Sequence, residues 1–95
     1  IIIDPGFGFA KTTEQNFELL RNIELLHELG YPLLVGVSRK SMIYKSLNIT
    51  ASEALNGTTV INTLVLQAGA AILRVHDVKA AHEAIKLIQL TNNPQ

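Results

Sequence analysis

The chain has 95 residues, 47% of them hydrophobic, with eight basic residues balanced by eight acidic ones and no cysteine. That is enough for one small core but short for an α/β enzyme. The neutral balance offers no basic face for nucleic acid or for an anionic membrane surface, and disulfides and thiolate metal sites are excluded. The lack of cysteine fits a cytoplasmic protein; no apolar run is long enough to span a bilayer and no signal peptide is visible.

Ile1-Ile2-Ile3 is β-branched and runs straight into Asp4-Pro5-Gly6-Phe7-Gly8-Phe9. This predicts a buried parallel strand delivering one carboxylate to the open end of a sheet. Because the chain opens directly on that strand, an N-terminal part is expected to precede it. Thr12 with Gln15 predicts a capped helix start. Phe17, Leu20, Ile23, Leu26 and Leu29 then recur at helical spacing up to Gly30, a left-handed stop, and Pro32. A second strand is expected over 32–37, running into Ser38-Arg39-Lys40-Ser41.

Ser41 begins a short helix with Met42, Ile43 and Leu47 as its apolar side; Asn48 to Ala51 breaks it, and Ser52 is expected to cap a further turn ending near Gly57. The stretch 58–68 is rich in β-branched residues, yet Val60, Ile61, Leu64, Val65 and Ala68 form a helical stripe closed by Gly69, so a helix is predicted. A third strand over 71–75 runs into His76-Asp77, and a last helix over 79–90 buries Ala81, Ala84, Ile85 and Ile88 before the polar tail 91–95. The order is three strands, each followed by a crossover helix, hence parallel strands with right-handed connections. All three read as apolar on both faces, as in a covered sheet. Three such units cannot close a (β/α)₈ TIM barrel of ~250 residues, so residues 1–95 are expected to be the C-terminal part of one such domain.

Each strand end carries chemistry. Asp4 is either a loop-capping side chain or a carboxylate in a partly dry pocket. In the second case it would accept paired N–H donors from an amidine-like edge, such as that of a pterin. The run Gly6 to Thr12 lacks the glycine spacing of a phosphate loop or a dinucleotide fingerprint. It reads instead as a hinge presenting Phe9 to a flat ligand, or as two phenylalanines covering the barrel end. Ser38 to Ser41 lies before a helix start, which favours anions, although a solvated cationic turn is the plain alternative. Lys40 is placed to donate to a ring carbonyl and Ser41 to hold a carboxylate or phosphate. Arg74 and His76 occupy alternate positions of a strand end and so share one side. Together they make a candidate diphosphate clamp, with Asp77 orienting one of them or capping the last helix. His27 and His82 read as surface residues, and no His/Asp/Glu spacing makes a metal site by itself.

In these motifs the chain resembles dihydropteroate synthase. They are Asp4-Pro5-Gly6-Phe7-Gly8-Phe9 with Lys11, Pro32-Leu33-Leu34-Val35-Gly36 with Ser38-Arg39-Lys40-Ser41, and Arg74-Val75-His76-Asp77-Val78. The likeness covers the whole chain in order. It implies a (β/α)₈ barrel that joins 4-aminobenzoate to a dihydropterin pyrophosphate, releasing pyrophosphate, as a homodimer with contacts largely from the late helices. It implies Mg²⁺ held by an Asn of the absent N-terminal strands. By the same resemblance Asp4 binds the amino-pyrimidine edge and Lys40 the pterin ring. Ser41 receives the aminobenzoate carboxylate, with Phe9 and Arg39 lining that region. Arg74 stacks on the pterin and, with His76, holds the leaving pyrophosphate; Arg74, His76 and Lys40 are the catalytic set. Ala10 departs from the glycine that the family commonly has there. A pterin-binding methyltransferase barrel and a non-catalytic partial barrel acting as an interaction module are the alternatives. The chain alone is expected to be inactive, with an unpaired edge that favours self-association.

Overall fold

The computed structural model describes residues 1–9 and 11–92. Ala10 and the end of the polar tail, 93–95, lie outside the described residues. The sheet runs in chain order. Ile3 makes a single parallel bridge to Leu33. Strand β1, Leu34–Val35, pairs in parallel with β2, Ile72–Leu73, in the register Leu34 to Ile72 and Val35 to Leu73. Backbone hydrogen bonds extend the pairing at both ends, from Leu34 N–H to the Ile3 carbonyl and from Arg74 N–H to the Val35 carbonyl, each 2.9 Å.

The expectation that all three strands are covered on both faces is corrected. The middle strand is covered: Leu33, Val35 and Val37 are fully buried. Ile1, Ile2 and Ile72 are exposed. The two outer strands have a neighbour on one side only among the described residues, and propensity for a strand carries no information about what covers it. The regular strands are correspondingly short.

The first crossover starts as expected. Thr12 caps helix α1, Thr13–Arg21, in a capping box with Gln15, a device that contributes about 1 kcal/mol. The continuous helix to Gly30 is corrected to two pieces. Asn22 leaves helical geometry and its side chain donates to the Glu18 carbonyl at 2.8 Å, so helix α2, Ile23–His27, begins afresh. Ile23 stays in the core, while Leu29 is exposed rather than part of the stripe. Gly30 takes the expected left-handed conformation.

After β1 come helix α3, Ser41–Tyr44, with Met42 and Ile43 buried and Leu47 exposed, and a 3₁₀ turn, Ala51–Glu53. The cap of that turn is Thr50, boxed with Glu53, and not Ser52. Helix α4, Leu55–Gln67, begins earlier than the β-branched run suggested, and Gly57 lies inside it. A Cβ on Gly57 would stand 2.6 Å from Ile43 Cγ2, so glycine there sets how closely α3 and α4 approach. The buried face of α4 is Thr58, Ile61, Asn62 and Val65, whereas Val60 and Leu64 are exposed.

Helix α5, Val78–Asn92, is longer than predicted, continuing through Thr91 and Asn92. It packs on α4 and buries Ala81 and Ala84, with Ile85 and Ile88 half-buried. The core centres on Phe7, Ile23, Leu33, Val35, Met42 and Val65. Each such side chain contributes about 1.5–3 kcal/mol by leaving water. Phe7 thereby anchors the glycine loop that follows the first strand.

Candidate functional site at the strand ends

The loop after Ile3 is held from several sides. Asp4 Oδ1 accepts the Gly6 N–H at 2.9 Å, and Lys11 Nζ donates to the Gly6 carbonyl at 3.0 Å. The buried Asn16 side chain accepts the Gly8 N–H at 2.8 Å and donates back to the Thr12 carbonyl. Gly6 and Gly8 sit at φ +77° and +85°, which glycine adopts without strain. With Phe7 in the core, Phe9 turns outward and is 64% exposed.

Three charged groups from three chain-distant loops meet over this end of the sheet. Arg74 Nη2 lies 3.8 Å from Asp4 Oδ2. Asp4 is thus both a turn-capping side chain, through Oδ1, and a carboxylate facing a cation, through Oδ2. Lys40 Nζ donates to the Phe7 carbonyl and stands 5.3 Å from the centre of the Phe9 ring, within cation–π range. Burial pushes the Lys40 ammonium below the ordinary lysine range; Arg74 and Lys11 push it the same way and Asp4 opposes them.

Two hollows flank Lys40. One, of about 320 Å³, is lined by Phe7, Phe9, Arg39, Lys40, Ser41 and Tyr44. The other, of about 110 Å³, is lined by Gly36, Ser38, Lys40, Arg74, Val75 and His76. Larger hollows exist on the helices, including one of about 700 Å³ along α4 and α5, but the convergent charges lie at the strand ends, where α/β proteins bind ligands. The structure therefore brings Asp4, Phe9, Lys40, Ser41, Arg74 and His76 to one rim.

Arg39 reaches the rim differently from what its place in the turn suggests. Its Nε and Nη2 engage both oxygens of Asp77, at 2.9 and 3.0 Å, and its Nη1 donates to the carbonyls of Ala51 and Ser52. The hydrogen bonds raise the Arg39 pKa and hold the Asp77 carboxyl below its usual range, against desolvation of both. Arg39 thus lines the larger hollow with its charge already paired, in a left-handed backbone conformation at φ +53°. Asp77, expected to orient Arg74 or His76 or to cap the last helix, instead has its side chain bonded to Arg39. His27 and His82 are exposed, as expected.

The offset of 38 residues that pairs β1 with β2 continues in side chains beyond the backbone ladder. Ser38 Oγ lies 2.8 Å from His76 Nδ1, and Arg39 binds Asp77. Asn16 and Gly36 are site-shaping residues that local patterns did not single out, and the partners of Ser38 and Asp77 were not foreseen. The repeated offset between two strand-to-loop junctions was the available signal.

Among the described residues no group of three or more His, Cys, Asp or Glu comes together to hold a metal ion. Among the same residues no helix is long and apolar enough to cross a membrane.

A family model described as pterin binding enzyme matches residues 1–76. The chain is 44% identical over 91 residues to dihydropteroate synthase of Escherichia coli (strain K12), covering 96% of the chain and 32% of that protein. Among solved structures it superposes on a dihydropteroate synthase from Coxiella burnetii in complex with pteroic acid, with a TM-score of 0.91 at 45% identity, over 96% of this chain and 35% of that one. It matches the 7,8-dihydropteroate synthase of Vibrio fischeri ES114 with a TM-score of 0.90 at 43% identity, over 99% of this chain and 35% of that one. The chain spans about a third of the length of the curated relatives it matches. By these likenesses in sequence and in three dimensions, the chain belongs to the pterin-binding enzyme family and aligns with the dihydropteroate synthases within it.

Proposed function

We propose that residues 1–95 are the last three strand–helix units of one (β/α)₈ barrel, whose full-length form is a dihydropteroate synthase. The full-length protein would condense 4-aminobenzoate with 6-hydroxymethyl-7,8-dihydropterin pyrophosphate. The arylamine nitrogen forms a bond to the pterin methylene carbon while the bond from that carbon to the pyrophosphate oxygen breaks. The electron pair leaves with pyrophosphate, and the amine proton goes to solvent or to the departing group. A neutral arylamine needs no strong base, so holding the partners in line and stabilising the leaving charge do most of the work.

The observation that carries this reading is the convergence of Asp4, Lys40 and Arg74 at one rim. Asp4 takes the two N–H donors of the amino-pyrimidine edge, a charge-assisted pairing. Lys40 donates to the ring carbonyl. Arg74 lies against the pterin face and, with His76, faces the pyrophosphate, where each well-placed donor is worth ~3–4 kcal/mol in the transition state. Ser41 and Phe9, which line the larger hollow, receive 4-aminobenzoate. Arg39 acts from behind, fixing the loop through Asp77. The chain by itself holds too few of the contacts to turn over. The exposed Val60, Leu64 and Leu87 on α4 and α5 support pairing of two copies.

The test uses the full-length protein, titrated calorimetrically with the pterin pyrophosphate and assayed for pyrophosphate release with 4-aminobenzoate. Wild type is expected to bind and release, and Arg74→Ala to lose most of its turnover. Methyl transfer without pyrophosphate release would replace this reading with the methyltransferase one. Failure to bind any pterin would favour a non-catalytic module.

A further inference from the structure

Ser38 is almost fully buried, and its hydroxyl is spent on a single residue. Its Oγ lies 3.2 Å from the backbone nitrogen of His76 and 2.8 Å from Nδ1 of the same residue. A peptide N–H can only donate, so Oγ accepts there. A hydroxyl carries one proton of its own and two lone pairs. With Oγ already accepting from the peptide N–H, Nδ1 at 2.8 Å can take the hydroxyl proton or donate its own, and only the first arrangement uses the hydroxyl's proton. An imidazole whose Nδ1 accepts must carry its proton on Nε2 when neutral. The neighbouring side chains fix this geometry. Arg39 N–H donates to Thr58 Oγ1 at 3.0 Å, and the Arg39 guanidinium grips Asp77 one residue beyond His76. Ser38, Arg74 and His76 all line the same small cleft.

We propose that Ser38 is a positioning residue that sets the tautomer of His76, holding Nδ1 as an acceptor so that Nε2–H is presented to an anionic phosphate oxygen. The inference rests on the reading above that His76 faces the departing pyrophosphate. The buried hydroxyl decides which nitrogen of a neutral His76 bears its one N–H, in a cleft also lined by Lys40 and Arg74.

The experiment uses the full-length protein labelled with ¹⁵N at histidine, with His76 assigned by its loss in His76→Gln. Wild type is expected to show a pyridine-like Nδ1 and a pyrrole-like Nε2. In Ser38→Ala both nitrogens should move toward a tautomer mixture. Turnover should then fall roughly ten- to a hundredfold, the range that follows loss of a hydrogen bond orienting a working histidine. KM for the pterin pyrophosphate should stay near wild type, since Asp4 and Lys40 are untouched. Ser38→Thr, which keeps the hydroxyl, should restore both signatures. A wild-type spectrum with the proton on Nδ1 overturns the proposal, as does Ser38→Ala with an unmoved spectrum and normal turnover. Should Ser38→Ala fail to fold, the wild-type spectrum alone decides. A wild type that shows the expected tautomer but makes no dihydropteroate overturns the functional reading and the phosphate contact, leaving the tautomer assignment standing.

Discussion

The guanidinium of Arg74 rests on the bare backbone of Gly36: a Cβ added there would stand 3.0 Å from both Nε and Nη2. The cation that reaches Asp4 thus crosses the middle strand at the one point where no side chain lifts it away. Gly36→Ala is the informative change. No left-handed conformation forces glycine at this position, and the Arg74 side chain is well exposed and free to swing. Stability should therefore stay within about 1 kcal/mol of wild type, because the lower entropy of the unfolded alanine chain offsets the crowding. Turnover should not survive equally well, since a displacement near 1 Å at a positioned group costs about a hundredfold in rate. Denaturant melts and pterin pyrophosphate kinetics on the full-length variant separate the two. Wild-type kinetics in Gly36→Ala would mean that Arg74 is not positioned by this contact.

The Arg39–Asp77 pair makes a pH prediction with a fixed sign. Arg39 holds the Asp77 carboxyl below its usual range. A carboxylate with a depressed folded pKa contributes stability above its unfolded value, and that contribution is lost as pH falls through the folded one. The melting temperature of wild type should exceed that of Asp77→Asn by a constant margin near neutral pH. The margin should shrink once pH drops below about 4, the ordinary aspartate value. Thermal melts from pH 7 to pH 2 measure it; a margin that widens on acidification contradicts the assigned pairing.

Much of this site was legible because each strand announces its end. Ile3 into Asp4, Val37 into Ser38 and Val75 into His76 are apolar runs meeting polar or charged groups, and the structure gathers those groups on one rim. The helix stops at Gly30 and Gly69 were equally local in the sequence, since both take a positive φ. What stayed hidden depends on partners distant in the chain. Arg39 in a basic turn reads as a ligand-binding cation until Asp77 is seen 38 residues on. Ile1 and Ile2 have strand propensity, but burial is a property of neighbours. Asn22 breaks the first helix through its own side chain, a competition that an apolar stripe does not record. Gly57 looked like punctuation, and only the closeness of Ile43 shows that it is a packing position.

Gly69 should be the least replaceable of these glycines. Its φ is +115°, and a Cβ there would come 2.4 Å from His27 Cγ. Gly69→Ala then suffers two separable penalties. Backbone strain at such an angle costs about 1–3 kcal/mol, and the clash with the imidazole adds to it. Equilibrium unfolding of the full-length protein should show a loss of about 2–4 kcal/mol, at the large end for single substitutions. His27→Ala in the same chain should recover the steric share and leave the backbone share. Full recovery would show that the backbone accommodates alanine, and no loss in Gly69→Ala itself would remove the contact from the account.

The two oxygens of Asp4 allow its structural role and its proposed binding role to be tested apart. Oδ1 holds the turn through the Gly6 N–H, and Oδ2 faces Arg74 across 3.8 Å. Asn keeps an oxygen for the turn but has no charge, so Asp4→Asn should fold like wild type. Its ion pair with Arg74 is long and solvent-exposed, and such pairs contribute at most about 1 kcal/mol. The pterin edge, by contrast, presents two donors that call for a carboxylate. Hydrogen bonds to charged groups are worth about 1.5–3 kcal/mol, so pterin affinity in Asp4→Asn should weaken about ten- to a hundredfold. Asp4→Ala loses the turn as well and should be worse in both stability and binding. Calorimetric titration of the three full-length proteins ranks them. If Asp4→Asn binds pterin as tightly as wild type while Asp4→Ala does not, the carboxylate only shapes the loop, and recognition of the heterocycle has to be sought in Lys40 and Arg74.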